Sequence, residues 1–143
     1  MKKIALTLFA VVISAAIFAQ AKKADELVKF AELKHNFGKI KQGTPVTHVF
    51  EFTNISGKPL VIENASASCG CTTPTWPQQP VAQGKGNKIT AGFNAAAPGP
   101  FDKTVFVKVS GADQPLELRI SGEVLTAEQY ASYESTKGKK SGK

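Results

Sequence analysis

From Leu27 to Leu125 the chain alternates apolar and polar residues in short runs, each interrupted by a cluster of Gly, Pro, Asn, Asp or Ser. Side chains of period two point to opposite faces of a strand, so this pattern specifies half-buried β-structure. The first expected strand runs from Leu27 to Phe37 and stops at Gly38 and the turn Gln42-Gly43-Thr44-Pro45. The second is the clearest, with Val46, His48, Phe50 and Phe52 on one face, and it ends at Asn54-Ile55-Ser56-Gly57-Lys58-Pro59, a dense group of turn formers. Further strands are expected at Leu60 to Glu63, Lys88 to Phe93, Phe101 to Val109 and Pro115 to Leu125. Val105-Phe106-Val107 reads as buried on both faces. Pro74, Pro77 and Pro80 keep the loop between the third and fourth out of any central sheet position. About seven short strands at this spacing imply an all-β fold, an immunoglobulin-like antiparallel β-sandwich.

The ends of the chain differ from this body. Lys2 and Lys3 precede an apolar run from Ile4 to Phe18, followed by Ala19-Gln20-Ala21, the arrangement of a secretory signal peptide over residues 1–21. The run is shorter than the roughly 20 residues a membrane span needs, and no later segment is apolar enough, so no membrane span is expected after cleavage. The cleavage point carries no cysteine for lipid attachment. Residues 22–29 form a lead-in, 30–126 the sandwich, and 127–143 a polar, Lys-rich tail. Within that tail Ala127 to Ser135 can form a helical turn carrying Tyr130 and Tyr133, while Thr136 to Lys143 has a disordered composition. A periplasmic or extracellular location follows as the expectation.

Charge matters here only through its placement. The 18 Lys and Arg residues against 11 Asp and Glu give +7. Two of those charges, Lys2 and Lys3, leave with the signal peptide, and Lys137, Lys139, Lys140 and Lys143 crowd the tail. The segment 30–126 is nearly neutral. A basic folded face is the footprint of nucleic-acid binding, so nucleic acid is not an expected partner.

One local constellation could carry chemistry: Ser68-Cys69-Gly70-Cys71-Thr72-Thr73-Pro74-Thr75-Trp76-Pro77. Together with Phe37-Gly38-Lys39-Ile40, Gly43, His48 to Asn54 and Pro59-Leu60-Val61-Ile62, it resembles the bacterial domain-of-unknown-function family 1573. That family is an immunoglobulin-like, Hydin-like domain common in exported proteins of Bacteroidetes. The resemblance extends from about Phe30 to Val124, with Cys-Gly-Cys-Thr its most distinctive piece. Val109-Ser110-Gly111-Ala112 departs from it, standing where the family commonly has a turn with Asn. The resemblance implies the fold and supplies no activity.

Cys69 and Cys71 have three open fates. A disulfide between residues two apart demands a tight turn, because an extended backbone spaces them by about 6.6 Å with parallel side chains, and Gly70 permits such a turn. A weak, reducible bond of this kind could exchange with a partner thiol. Alternatively, two thiolates could share a Cu(I) or Zn ion. A closed zinc site needs two further ligands, and the only histidines are His35 and His48. His48 shares a face with Phe50 and Phe52 and reads as a core-edge residue, while His35 reads as surface-facing. No methionine follows the signal peptide, which excludes a Met-rich copper site.

Trp76, between Pro74 and Pro77, reads either as a lid over one end of the core or as an aromatic that docks a partner. Asn54-Ile55-Ser56 and Asn64-Ala65-Ser66 match the glycosylation sequon and carry no function here. No phosphate loop, H-E-x-x-H or run of paired carboxylates is present, so no enzyme is expected. The sequence therefore points to a non-catalytic exported module that contacts an envelope or extracellular protein through edge strands or the Cys-Gly-Cys/Trp loop. The alternative is a thiol-redox or Cu/Zn-handling protein using Cys69 and Cys71.

Overall fold

The structure is a computed structural model describing residues 22–140; the expected signal peptide, residues 1–21, lies outside the described residues. After a short 3-10 turn at Ala24–Glu26, the strands are β1 Val28–Phe30, β2 Lys34–Lys41, β3 Val46–Asn54, β4 Ile62–Ala67, β5 Thr72–Thr75, β6 Gly86–Phe93, β7 Gly99–Val109 and β8 Leu116–Leu125. Helix α1 spans Ala127–Lys140. Two four-stranded sheets stack, one in the order β1-β3-β6-β5 and the other in the order β2-β8-β7-β4. The protein is an all-β sandwich.

The expected first strand is in fact two. Ala31, Glu32 and Leu33 carry the chain from the first sheet to the second, so β1 pairs antiparallel with β3 while β2 pairs parallel with β8. This parallel pair departs from a purely antiparallel sandwich. The crossing also shifts the parity of the inward residues. Val28 and Phe30 face inward in β1, His35 and Phe37 do so in β2, and a bulge between Asn36 and Lys39 resets the pattern to Ile40. The lead-in is not a separate segment, since Ala24, Leu27 and Val28 are all buried in the core.

Between the sheets lie Phe50, Ile89, Val105, Val107, Leu118 and Ile120, each fully buried. Truncating an aromatic such as Phe50 in a core of this kind costs about 3–5 kcal/mol. Phe106, expected on a buried face, is only half-buried, because the outer face of β7 is open to solvent. The third strand starts later than expected, at Ile62, and runs to Ala67. The Pro-punctuated loop contributes the four-residue β5, with Pro74 on the outermost strand, where a missing N–H breaks no ladder between two neighbours.

At the end of β3, Asn54 is fully buried and serves as a hub. Its Nδ2 donates to the carbonyls of Lys58 and Val81, and its Oδ1 accepts from the backbone N–H and the hydroxyl of Ser56. All its side-chain polar atoms are thus paired in the interior. Burial also removes Asn54 from any role as a sequon.

Helix α1 begins with a reciprocal cap: Gln129 N–H donates to Thr126 Oγ1, and Thr126 N–H donates to Gln129 Oε1. The helix continues to Lys140, so residues 136–140, expected from composition to be disordered, are helical. Among the described residues no helix is long and apolar enough to cross a membrane.

Candidate functional site

Two groups of chemistry-bearing side chains stand out, and they occupy different places. The first is the β4–β5 connection. β4 is an edge of the second sheet and β5 an edge of the first, so the residues between them carry the chain across the sandwich. Ser68 is tied to the second sheet, its N–H donating to the Thr104 carbonyl and its hydroxyl accepting from Thr104 N–H. The Cys71 carbonyl accepts from Asn94 N–H just beyond β6, tying the other end to the first sheet. Between these anchors Cys69 and Cys71 are bonded to each other as a disulfide with Cα atoms 5.3 Å apart. Of the three fates open at the sequence level, the structure holds the first.

Gly70 at the apex is exposed, and a Cβ there would meet nothing within 4 Å. Both cysteines are half-buried, and Cys71 packs with Trp76 against the core. Trp76 therefore combines the two readings of the sequence: part of the ring covers the core, and part stays accessible beside Pro74 and Pro77. β5 can lie close to β6 because Gly92, opposite Thr73, has no side chain; a Cβ there would sit 3.0 Å from Thr73 Oγ1.

The second group lies where the two sheets meet at β2 and β3. The rings of His35 and His48 stack with centroids 3.5 Å apart and planes 7° from parallel. His48 Nε2–H donates to Glu32 Oε1 at 2.6 Å. One ligand-capable atom from each of Glu32, His35 and His48 lies within 4.8 Å of the others. Phe37 meets the His35 ring edge-on at 4.7 Å, and Phe50 meets the His48 ring edge-on at 4.8 Å, so aromatic carbon walls the cluster on its inner side. Burial and the neighbouring His48 lower the His35 pKa from the ordinary histidine value, with Glu32 opposing them.

This arrangement corrects two expectations. His35 is not surface-facing: the parity shift at Ala31–Leu33 turns it inward with Phe37. Nor does His48 complete a site with Cys69 and Cys71. The sulfurs are bonded to each other, and β6 separates β3 from β5, placing their backbones roughly 10 Å apart at the usual strand spacing. The roles of Glu32 and His35 were not read from the sequence. A signal was present in the paired tripeptides His35-Asn36-Phe37 and His48-Val49-Phe50, each presenting a histidine and a phenylalanine on the same strand face.

Comparison with solved structures supports the fold alone. A protein of unknown function from Porphyromonas gingivalis W83 matches with a TM-score of 0.58 at 8% identity, covering 68% of this chain and 46% of that one. This chain thus spans less than half the length of that structure. The ASH/PapD-like domain 7 of human CEP192 matches with a TM-score of 0.60 at 12% identity, over 80% of this chain and 96% of the domain. The secreted serine protease VesC from Vibrio cholerae matches with a TM-score of 0.56 at 12% identity, over 72% of this chain and 24% of the protease. No curated protein matches the chain. The family profile described as "Protein of unknown function (DUF1573)" matches residues 28–124, from the first residue of β1 to the penultimate residue of β8, and the chain belongs to that family.

Proposed function

We propose that this protein is a non-catalytic binding or assembly module of the cell envelope, exported by residues 1–21, with the β4–β5 crossover as its contact surface. The observation that supports this reading is Trp76, half-exposed between two prolines just after edge strand β5, which itself follows the disulfide-closed turn. A rigid aromatic loses little conformational freedom on binding, which is why Trp is enriched at binding hot spots. The free edges of β4 and β5 on either side of the turn offer backbone groups to an extended partner segment.

The test is an envelope pull-down with wild type, Trp76→Ala, and Cys69→Ser with Cys71→Ser. The reading expects a discrete partner that Trp76→Ala loses while the circular dichroism spectrum is unchanged. Recovery of the same partners by wild type and Trp76→Ala would overturn it.

The half-exposed disulfide favours one further reading, thiol exchange. A partner thiolate would attack one sulfur and displace the other as a thiolate. A second partner thiolate would then resolve the mixed disulfide, leaving Cys69 and Cys71 reduced and the partner oxidised. Mixed disulfides captured with wild type by acid quench and alkylation, absent in the double variant, are its signature.

A further inference from the structure

We propose that Glu32, His35 and His48 form a zinc site that joins the two sheets of the sandwich. The ligand set is two imidazole nitrogens and one carboxylate oxygen, a combination suited to Zn(II), with a fourth position left for water. The three residues come from two separate pieces of chain, Glu32 and His35 lying three residues apart in one of them. Glu32 lies on the crossing between the sheets, His35 on edge strand β2 and His48 on inner strand β3. The tertiary fold brings His48 to the other two and places the three ligand atoms within 4.8 Å of one another.

The entry point of the ion is the short contact between His48 and Glu32. There His48 Nε2–H donates to Glu32 Oε1 at 2.6 Å. Zinc would take the place of that proton on Nε2, the neutral ring carrying its proton on Nδ1 instead, and the two atoms would separate to about 3.3 Å for bonds near 2.0–2.1 Å. His35 must then tilt, since lone pairs lie in the ring plane and two parallel rings cannot aim at one ion. The structure assigns this freedom to the right residues. His35 sits on an edge strand and Glu32 is exposed on a connection, whereas His48 is set on an inner strand between β1 and β6 and is braced by Phe50 and Phe37. The phenylalanine wall excludes water from one side of the ion and strengthens its attraction to the carboxylate.

The experiment uses tag-free protein stripped with chelator, then titrated with zinc chloride and followed by calorimetry and thermal melting. The expected result is one zinc per chain and a Tm raised by on the order of 10 °C at a hundredfold excess over Kd. Glu32→Gln, at an exposed position, and His35→Ala, on edge strand β2, should each lose at least half of that shift, and Cys69→Ser with Cys71→Ser should keep it. The proposal fails if wild type shows no shift, if Glu32→Gln and His35→Ala both retain it, or if only the cysteine variant loses it. The last result would place the metal at the cysteines instead.

Discussion

The imidazole of His35 lies flat against that of His48, 3.5 Å between ring centroids, and the contact links the edge of one sheet to the interior of the other. Two cations cannot comfortably share that spacing. Burial, the neighbouring His48 and the opposing pull of Glu32 together leave the His35 pKa below its ordinary value.

A lowered histidine pKa means that the unfolded chain takes up the proton first as pH falls. The contribution of neutral His35 is therefore fully present above the ordinary histidine value, near 6.5, and is lost as pH drops below it. In chelator, the urea midpoint of wild type should fall between pH 8 and pH 5 by more than that of His35→Phe, which keeps an aromatic ring but cannot titrate. Equal falls in the two proteins would show that the stack carries no such linkage.

Asn54 makes four side-chain hydrogen bonds inside the protein. Asn54→Ala removes them all and strands buried carbonyls, at a cost of about 3 kcal/mol or more. Asn54→Asp should be at least as damaging, because it sets a carboxylate oxygen against the carbonyls of Lys58 and Val81. Chemical denaturation of the two variants beside wild type checks the order.

Gly122 faces the bulge in β2. An added Cβ would stand 2.8 Å from the Gly38 carbonyl oxygen and 2.8 Å from Phe101 Cζ. Gly122→Ala should cost about 1–3 kcal/mol through overpacking. Phe101→Leu in the same background should recover only part, since the backbone contact with Gly38 remains; full recovery would assign the whole cost to the ring.

The Cys69–Cys71 bond closes only a three-residue loop. Chain-entropy reasoning gives it at most about 1.6 kcal/mol of stabilisation. Cys69→Ser with Cys71→Ser, or reduction of wild type, should lower Tm by no more than about 10 °C and leave the fold intact. A collapse of cooperative unfolding would mean that the clip holds the crossover itself.

Thr126 and Gln129 cap α1 reciprocally. Thr126→Ala should weaken the helix by about 1 kcal/mol. The change should surface as faster amide exchange within Ala127–Lys140, with the sandwich transition nearly unmoved.

The architecture was readable because strand alternation is a local property. Val46 to Phe52 shows its two faces in the sequence whatever surrounds it, and Asn54 to Pro59 announces its turn by residue type. The capping box at Thr126 and Gln129 is equally local, though composition alone had suggested a shorter helical turn. Family membership was legible for a similar reason, through the contiguous Cys69-Gly70-Cys71-Thr72 element and the strands around it.

The crossing at Ala31 to Leu33 was not legible. A strand that changes sheets keeps an extended backbone, so its sequence reads as one uninterrupted run, and only pairing with β3 on one side and β8 on the other reveals the break. That break decides the direction of His35. By itself the sequence determined a two-sheeted sandwich with a Cys-Gly-Cys turn, since alternation and turn chemistry act over a few residues. Tertiary structure alone decided that His48 meets Glu32 and His35, because that outcome depends on which strands lie side by side.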